Sequence, residues 1–205
     1  MSISEEWTAL STVLADAAPR TFATIRRPAG YEAVVAAERA TAPWPDELRE
    51  FFTLHDGEND VGGAGSILPT GRLLSVGEIP DCHAMMIEVM AEIVADDPDG
   101  YEESYEDLVS AAGTAGVDAE DHLFLPGYIP IAKWDSHYVF CDVRSGDLRG
   151  CVSHRGNEGD HMGMPQWKSL SHMIRAVRES VATGAALGWY EPRTLDGSLQ
   201  WDIVT

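Results

Sequence analysis

The residues best suited to metal chemistry lie in the last third of the chain. His154 and His161 flank Glu158 and Asp160, and His137 precedes them in a predicted strand. Imidazole and carboxylate groups bind catalytic zinc, so a metal-dependent hydrolase using the three histidines is one hypothesis. Zinc sites usually contain closely spaced pairs such as His-x₃-His or Cys-x₂-Cys, and the chain has neither. We predict no metal site and no cofactor.

The chain does not match other catalytic or nucleotide-binding motifs, because single residues are out of place. Residues 63–67 read Gly-Ala-Gly-Ser-Ile, in which the serine is misplaced for the nucleophile elbow Gly-x-Ser-x-Gly. Leu68 stands where a dinucleotide motif needs its third glycine, and the segment has no lysine for a phosphate loop. The 34 acidic residues offer many carboxylate pairs, but spacing alone selects none for acid–base catalysis. We predict no catalytic residues and no enzymatic activity.

The most informative feature is a concentration of negative charge. No Lys or Arg occurs between Arg72 and Lys133, and this interval carries fourteen acids, or −14 of the net charge of −20. Its densest part, 96–107, lacks the alternating acids of an EF-hand, because Pro98 and Tyr101 interrupt them. Tyrosines among charges are typical of contact surfaces. The pattern predicts a partner-binding surface made of Asp96, Asp97, Asp99, Tyr101, Glu102, Glu103, Tyr105, Glu106, Asp107 and Trp134.

Composition narrows the class of partner. The 205 residues suit one domain, and 44% hydrophobic residues indicate a globular chain. A net charge of −20 excludes a general nucleic-acid binder and disfavours an anionic membrane, but it favours a basic protein partner. The amino terminus lacks the basic start and apolar run of a secretory signal, and the cysteines number only three. These features predict a cytoplasmic protein.

Apolar periodicity predicts helices first, then strands, then a helix. Ser2 and Glu5 have the spacing of a capping box, and Pro45 begins another helix that ends at a left-handed Gly57. A helix from about Pro80 is predicted to bury one face, comprising Cys82, Met85, Met86, Val89 and Ile93. Strands follow at 128–132, 138–143 and 150–153, then a helix capped by Ser169 and a hairpin that turns at Asp196-Gly197. This order predicts an α+β fold with a mostly antiparallel sheet.

Two further expectations concern the second half of the chain. Cys141 and Cys151 are equidistant from Gly146, which places them opposite each other if that glycine centres a hairpin. The segment from His154 to Gly163 is polar and is predicted to be a solvated loop. The oligomeric state stays open, although Leu199, Trp201 and Ile203 near the end of the chain suit pairing with a neighbour.

An ordered set of motifs resembles the Smi/Knr family of the SUKH superfamily over nearly the full chain. The set comprises Trp7-x-x-Leu10, Pro45-x-x-Leu48-x-x-Phe51-Phe52-x-x-His55-Asp56-Gly57, Leu68-Pro69, Leu74-x-x-x-Glu78-Ile79, Pro126-Gly127-Tyr128-Ile129-Pro130-Ile131-Ala132, Tyr138 to Val143 with Asp142, Gly150-x-Val152, and Trp167-x-Ser169-Leu170. Phe124 and Tyr128 replace two tryptophans of the family pattern. The resemblance implies one SUKH-like α+β domain over 1–205, with an acidic helical insertion at about 81–121.

The resemblance also implies a non-enzymatic role. Many bacterial members are immunity proteins that neutralise toxins, often nucleases, and eukaryotic relatives are interaction modules. The sequence therefore predicts an immunity protein that occludes a nuclease-type toxin, as in toxin–antitoxin pairs. The alternative is a regulatory or scaffold protein of the same fold that binds an endogenous partner. The family shares no catalytic set, so the acidic surface depends on the charge argument alone.

Overall fold

A computed structural model describes residues 1–117, 123–135, 137–156 and 165–204. It is an α+β fold in which helices flank an antiparallel sheet, as predicted. The helices are α1 (Ile3–Ala17), α2 (Pro19–Phe22), α3 (Tyr31–Ala40), α4 (Asp46–Leu54), α5 (Ile79–Asp96), α6 (Tyr105–Ala111) and α7 (Leu170–Thr183). The strands are β1 (Arg72–Leu73), β2 (Tyr128–Trp134), β3 (His137–Asp142), β4 (Cys151–Arg155), β5 (Tyr190–Leu195) and β6 (Ser198–Ile203).

The main sheet has the strand order β1-β2-β3-β4, with each neighbouring pair antiparallel. Its strands are rich in β-branched and aromatic residues, and β4 is buried along its whole length. The register pairs Asp142 with Cys151 and Cys141 with Val152. The predicted alignment of Cys141 with Cys151 is therefore wrong by one residue. All three cysteines are free and buried.

Helices α1 and α7 begin at the caps that the sequence predicts. Ser2 and Glu5 form a complete capping box on α1, and Ser169 caps α7, which ends at a left-handed Gly184. The two helices pack together, and the buried Glu6 on α1 accepts hydrogen bonds from two arginines of α7. Burial alone would raise the pKa of Glu6, but these arginines outweigh it and hold the pKa below the ordinary value.

Gly57 is needed for a different reason from the predicted one. The capping residue of α4 is His55 in an extended conformation, two residues earlier. Gly57 has φ +72°, and a Cβ there would lie 2.5 Å from the backbone carbonyl carbon of Leu74. A side chain at this position would therefore collide with the strand region that packs on it.

The carboxyl-terminal hairpin forms as predicted. Asp196 and Gly197 both have positive φ, at 49° and 74°, which is the geometry of a type I′ turn. Strands β5 and β6 pair around this turn, from Leu195↔Ser198 to Tyr190↔Ile203. Leu199 joins the hairpin to the rest of the fold, because its N–H donates to the Thr21 hydroxyl at 2.8 Å.

Candidate functional site

Ten acidic side chains of the acidic segment are exposed. This segment comprises α5, the turn that follows it and α6, and the first residues of α6 are capped by Ser104. The ten exposed acids are Asp81, Glu88, Glu92, Asp96, Asp97, Asp99, Glu102, Glu103, Glu106 and Asp107. The acids at 118, 120 and 121 lie outside the described residues. The predicted acidic side chains thus lie on two helices that pack against each other and on the turn between them. We call these ten residues the acidic surface.

Two members of the acidic surface also hold the local fold. The Asp97 carboxylate accepts the Gly100 N–H at 3.0 Å, and Asp107 accepts the Ser104 hydroxyl at 2.7 Å. Glu102 and Glu103 lie between these turns and are exposed. Glu102 and Glu103 are therefore the positions where charge can be changed with the least structural cost.

Tyr105 is a correction to the predicted surface. It is buried at 8% exposure, and its hydroxyl donates to the carbonyl oxygen of Phe124 at 2.6 Å. Burial also raises the pKa of Tyr105 to about 12. Tyr101 lies before α6, not within it, and is half-buried against the core. Tyr105 therefore attaches α6 to the sheet and is not available for contact with a partner.

We expect Tyr105→Phe to lower the free energy of unfolding by about 1 kcal/mol, because it removes one hydrogen bond and leaves the Phe124 carbonyl unpaired. Urea denaturation measures this loss. Tyr31→Phe, at an 80% exposed tyrosine, is the matched control and should change little. An unchanged stability in Tyr105→Phe would contradict the anchoring role.

The exposed side of α5 carries a row of apolar side chains that the sequence predicts to be buried. Cys82 and Met86 are buried as predicted, but Met85, Val89 and Ile93 are 37%, 39% and 43% exposed. The buried face of α5 instead includes Ile79, His83 and Val94. Met85, Val89 and Ile93 are four residues apart and so form one row on the helix surface. We call this row the apolar ridge.

Both ends of the acidic segment are attached to the sheet region. At the start, α5 packs on β2, and His83 Nε2 donates to the Pro126 carbonyl at 2.9 Å. Beyond α6, Arg144 donates to the carbonyls of Gly113 and Val117 at 2.9 and 2.6 Å. Arg144 is itself held by the buried Asp142, whose carboxylate also accepts the Gly116 N–H at 2.9 Å.

Trp134 lies in a different region from the acids. It is 65% exposed and lines an open groove of about 900 Å³, whose lining contains none of residues 96–107. The groove lies between residues 59–66, the turn at 69–72, the end of the β2–β3 hairpin and β6. Its charged lining is balanced, with Arg72 and Lys133 against Asp60 and Asp135. The structure therefore does not bring Trp134 into the acidic surface.

The histidines of the metal hypothesis are only partly described. His154 belongs to β4 and is buried, which corrects its predicted place in a solvated loop. His137 Nδ1 lies 3.3 Å from His154 Nε2, and the two rings stack. His161, Glu158 and Asp160 lie outside the described residues. Within the described ranges, no group of three or more His, Cys, Asp or Glu side chains is placed to hold a metal ion.

Two buried titratable groups near α4 were not predicted. His55 is fully buried against Trp7 and Phe51, and its Nδ1 accepts the Gly57 N–H at 2.9 Å. Burial lowers the pKa of His55 to about 3. Three residues on, burial raises the pKa of Glu58 to about 7. The sequence carried no signal for either shift, because both depend on packing from distant segments.

Glu58 is surrounded by groups that suit a carboxyl at the base of the loop 59–66. Its oxygens accept the N–H groups of Ile67 and Leu73 at 3.1 and 2.8 Å. The Thr24 hydroxyl donates to the Thr21 carbonyl at 2.7 Å and more weakly to Glu58 Oε1 at 3.4 Å. These hydrogen bonds favour the charged carboxylate, but burial outweighs them and raises the pKa of Glu58.

No family model matches this chain, and a search of curated proteins finds no match. The resemblance to the Smi/Knr family therefore stays a prediction. Within the part of the chain that the structure describes, no helix has the length and apolar character needed to span a bilayer.

Proposed function

We propose that this protein is a non-enzymatic binding protein, and specifically an immunity protein that occludes the basic active site of a nuclease-type toxin. The observation that carries the proposal is the acidic surface, in which ten exposed carboxylates lie on α5, α6 and the turn between them. No Lys or Arg interrupts the sequence there. A nuclease site must hold phosphates and is therefore basic, so carboxylates can compete for it.

The mechanism is electrostatic encounter followed by occlusion. A concentrated negative field raises the association rate with a basic protein by about 10- to 1000-fold at low salt. The residues that make this field are solvent-exposed, so their attraction is screened within about 10 Å at 0.1 M salt. Once docked, the acidic surface covers the cationic side chains that would otherwise bind nucleic acid.

The test is a panel of purified basic nuclease toxin domains. Each is titrated with this protein while cleavage of a fluorescent nucleic acid is followed, and the association rate is measured at several salt concentrations. We expect at least one toxin to be inhibited at a 1:1 ratio, with an association rate that falls steeply with salt. A salt-independent association rate for an inhibited toxin would remove the electrostatic part, and the absence of any inhibited toxin would contradict the nuclease assignment.

Reversing two charges within the acidic surface should slow this association. The change is Glu102→Lys with Glu103→Lys, and we expect the association rate at low salt to fall about tenfold or more, with a weaker salt dependence. The measurement is stopped-flow binding of an inhibited toxin. The matched control is Asp16→Lys with Glu191→Lys, which changes the net charge equally at exposed acids on α1 and β5. If the control slows association as much, net charge and not the acidic surface governs the encounter.

A further inference from the structure

The apolar ridge of α5 lies directly beside a row of carboxylates. Glu88, Glu92 and Asp96 are also four residues apart, and each follows a member of the apolar ridge by three residues. On a helix, positions three and four apart are neighbours, so the two rows run side by side along the same exposed side. The row of carboxylates and the apolar ridge therefore form one amphipathic strip.

The apolar ridge has no cover within the described chain. Met85, Val89 and Ile93 keep 37–43% exposure although Cys82 and Met86, on the neighbouring face of the same helix, are buried. Three apolar side chains form a continuous exposed row there, and contiguous exposed apolar patches mark interaction sites more often than exposed single residues do. This row is also the part of α5 that the core does not use.

Charge decides which occupant fits the strip. A second copy of this chain carries the same net charge of −20 and would bring another acidic surface against Glu88, Glu92 and Asp96. An anionic membrane is repelled for the same reason. A segment with apolar residues on one side and Lys or Arg beside them satisfies both rows at once. Rows of side chains on a helix accept a second helix by interdigitation, so the fitting segment is itself helical.

We propose that the strip formed by Met85, Val89 and Ile93 with Glu88, Glu92 and Asp96 is the docking site for a basic amphipathic helix of the protein partner. The proposal rests on the proposed function, because it specifies how a basic partner binds after encounter. The acidic surface speeds association, whereas the apolar ridge supplies the desolvated contact that slows dissociation.

The experiment uses the full chain and a fluorescein-labelled 18-residue peptide of Leu, Ala and Lys, patterned as an amphipathic helix. A second peptide has the same composition with the leucines scrambled around the helix, so its charge is identical. Fluorescence anisotropy gives the Kd of each. We expect the patterned peptide to bind about tenfold or more tightly than the scrambled peptide.

Matched variants locate the contact. Val89→Ser with Ile93→Ser removes two members of the apolar ridge without changing charge, and serine suits a helix about as well as valine does. We expect the Kd of the patterned peptide to rise about tenfold or more, whereas the Kd of the scrambled peptide stays unchanged. Val61→Ser with Ile203→Ser, at two exposed apolar residues of the groove, whose lining contains no residue of α5, is the control and should leave both Kd values unchanged.

The outcomes separate this inference from the proposed function. If both peptides bind equally and salt weakens both, the acidic surface acts by charge alone and the docking proposal is wrong, while the toxin panel still decides the proposed function. If neither peptide binds, the docking proposal is also wrong. If sedimentation shows a dimer that Val89→Ser with Ile93→Ser dissociates, a second copy covers the apolar ridge and the proposal is overturned.

Discussion

Replacing Asp142 by alanine is expected to lower the free energy of unfolding by about 3–5 kcal/mol. Asp142 is fully buried, and its carboxylate accepts hydrogen bonds from the Gly116 N–H and from the backbone and side chain of Arg144. The Arg144 side chain is 12% exposed, so removing Asp142 leaves a desolvated guanidinium without its counter-ion. Such an unpaired charge costs more than the lost attraction alone.

Urea denaturation measures this loss. Asp147→Ala, at an exposed acid of the same β3–β4 connection, is the matched control and should shift stability by about 0.5 kcal/mol or less. Hydrogen exchange adds a local readout, because the Gly116 N–H donates to Asp142 and should exchange faster in Asp142→Ala. A loss below about 1 kcal/mol would contradict the role of this ion pair.

The pair also connects the fold to the acidic surface. Arg144 holds the carbonyls of Gly113 and Val117, which directly follow α6. Tyr105 holds the start of α6, through its bond to the Phe124 carbonyl. The acidic helices are thus attached at both ends by buried polar groups. These attachments hold the segment in place against the mutual repulsion of its carboxylates. A docking surface that is held in this way loses little entropy when a partner binds.

Much of the fold could be predicted because its signals are local. The Ser2 capping box, the Ser169 cap and the Asp196-Gly197 turn depend on residues within three or four positions of one another. Alternating and β-branched runs indicated the strands, and the antiparallel sheet followed from their order. The alignment of Cys141 and Cys151 failed by one residue because the connection between β3 and β4 is not symmetric about Gly146.

The site was less predictable because its decisive features depend on packing between distant segments. Helix α5 has two apolar rows, and periodicity cannot tell which one the sheet covers; Cys82 and Met86 face it, whereas Val89 and Ile93 do not. Tyr105 looked like a surface residue because its neighbours in sequence are charged, yet Phe124 supplies a partner inside the core. Trp134 follows the acids in sequence but lies at the far end of β2, in the groove.

The pKa shifts of His55 and Glu58 make the free energy of unfolding depend on pH in opposite directions. The pKa of His55 is about 3 when folded and 6.5 ordinarily, so between these values the unfolded chain binds more protons and stability rises with pH. The pKa of Glu58 is about 7 when folded and 4.5 ordinarily, so in that range the folded chain binds more protons and stability falls as pH rises. Between about pH 4.5 and 6.5 the two contributions cancel.

Replacing either residue alone should therefore reveal a slope of the free energy of unfolding against pH, and the two slopes should have opposite signs. Relative to the natural chain, we expect the stability of Glu58→Gln to rise by about 2 kcal/mol from pH 4.5 to 6.5, because the opposing contribution of Glu58 is removed. In His55→Asn, whose amide oxygen can still accept the Gly57 N–H, we expect a fall of about 2 kcal/mol over the same range, again relative to the natural chain. Urea denaturation at a series of pH values gives both slopes, whatever constant stability each substitution costs.

The variant with both Glu58→Gln and His55→Asn completes a double-mutant cycle. Comparison of the four proteins separates the two shifted groups from the other charges. Repulsion among the 34 acidic residues also changes with pH, but it is common to all four proteins and cancels when their slopes are compared. The double variant should therefore have the same slope as the natural chain between pH 4.5 and 6.5. Equal slopes in the two single variants would show that neither group keeps its shifted pKa. Opposite slopes would mean that the fold keeps a neutral imidazole and a protonated carboxyl three residues apart in its interior.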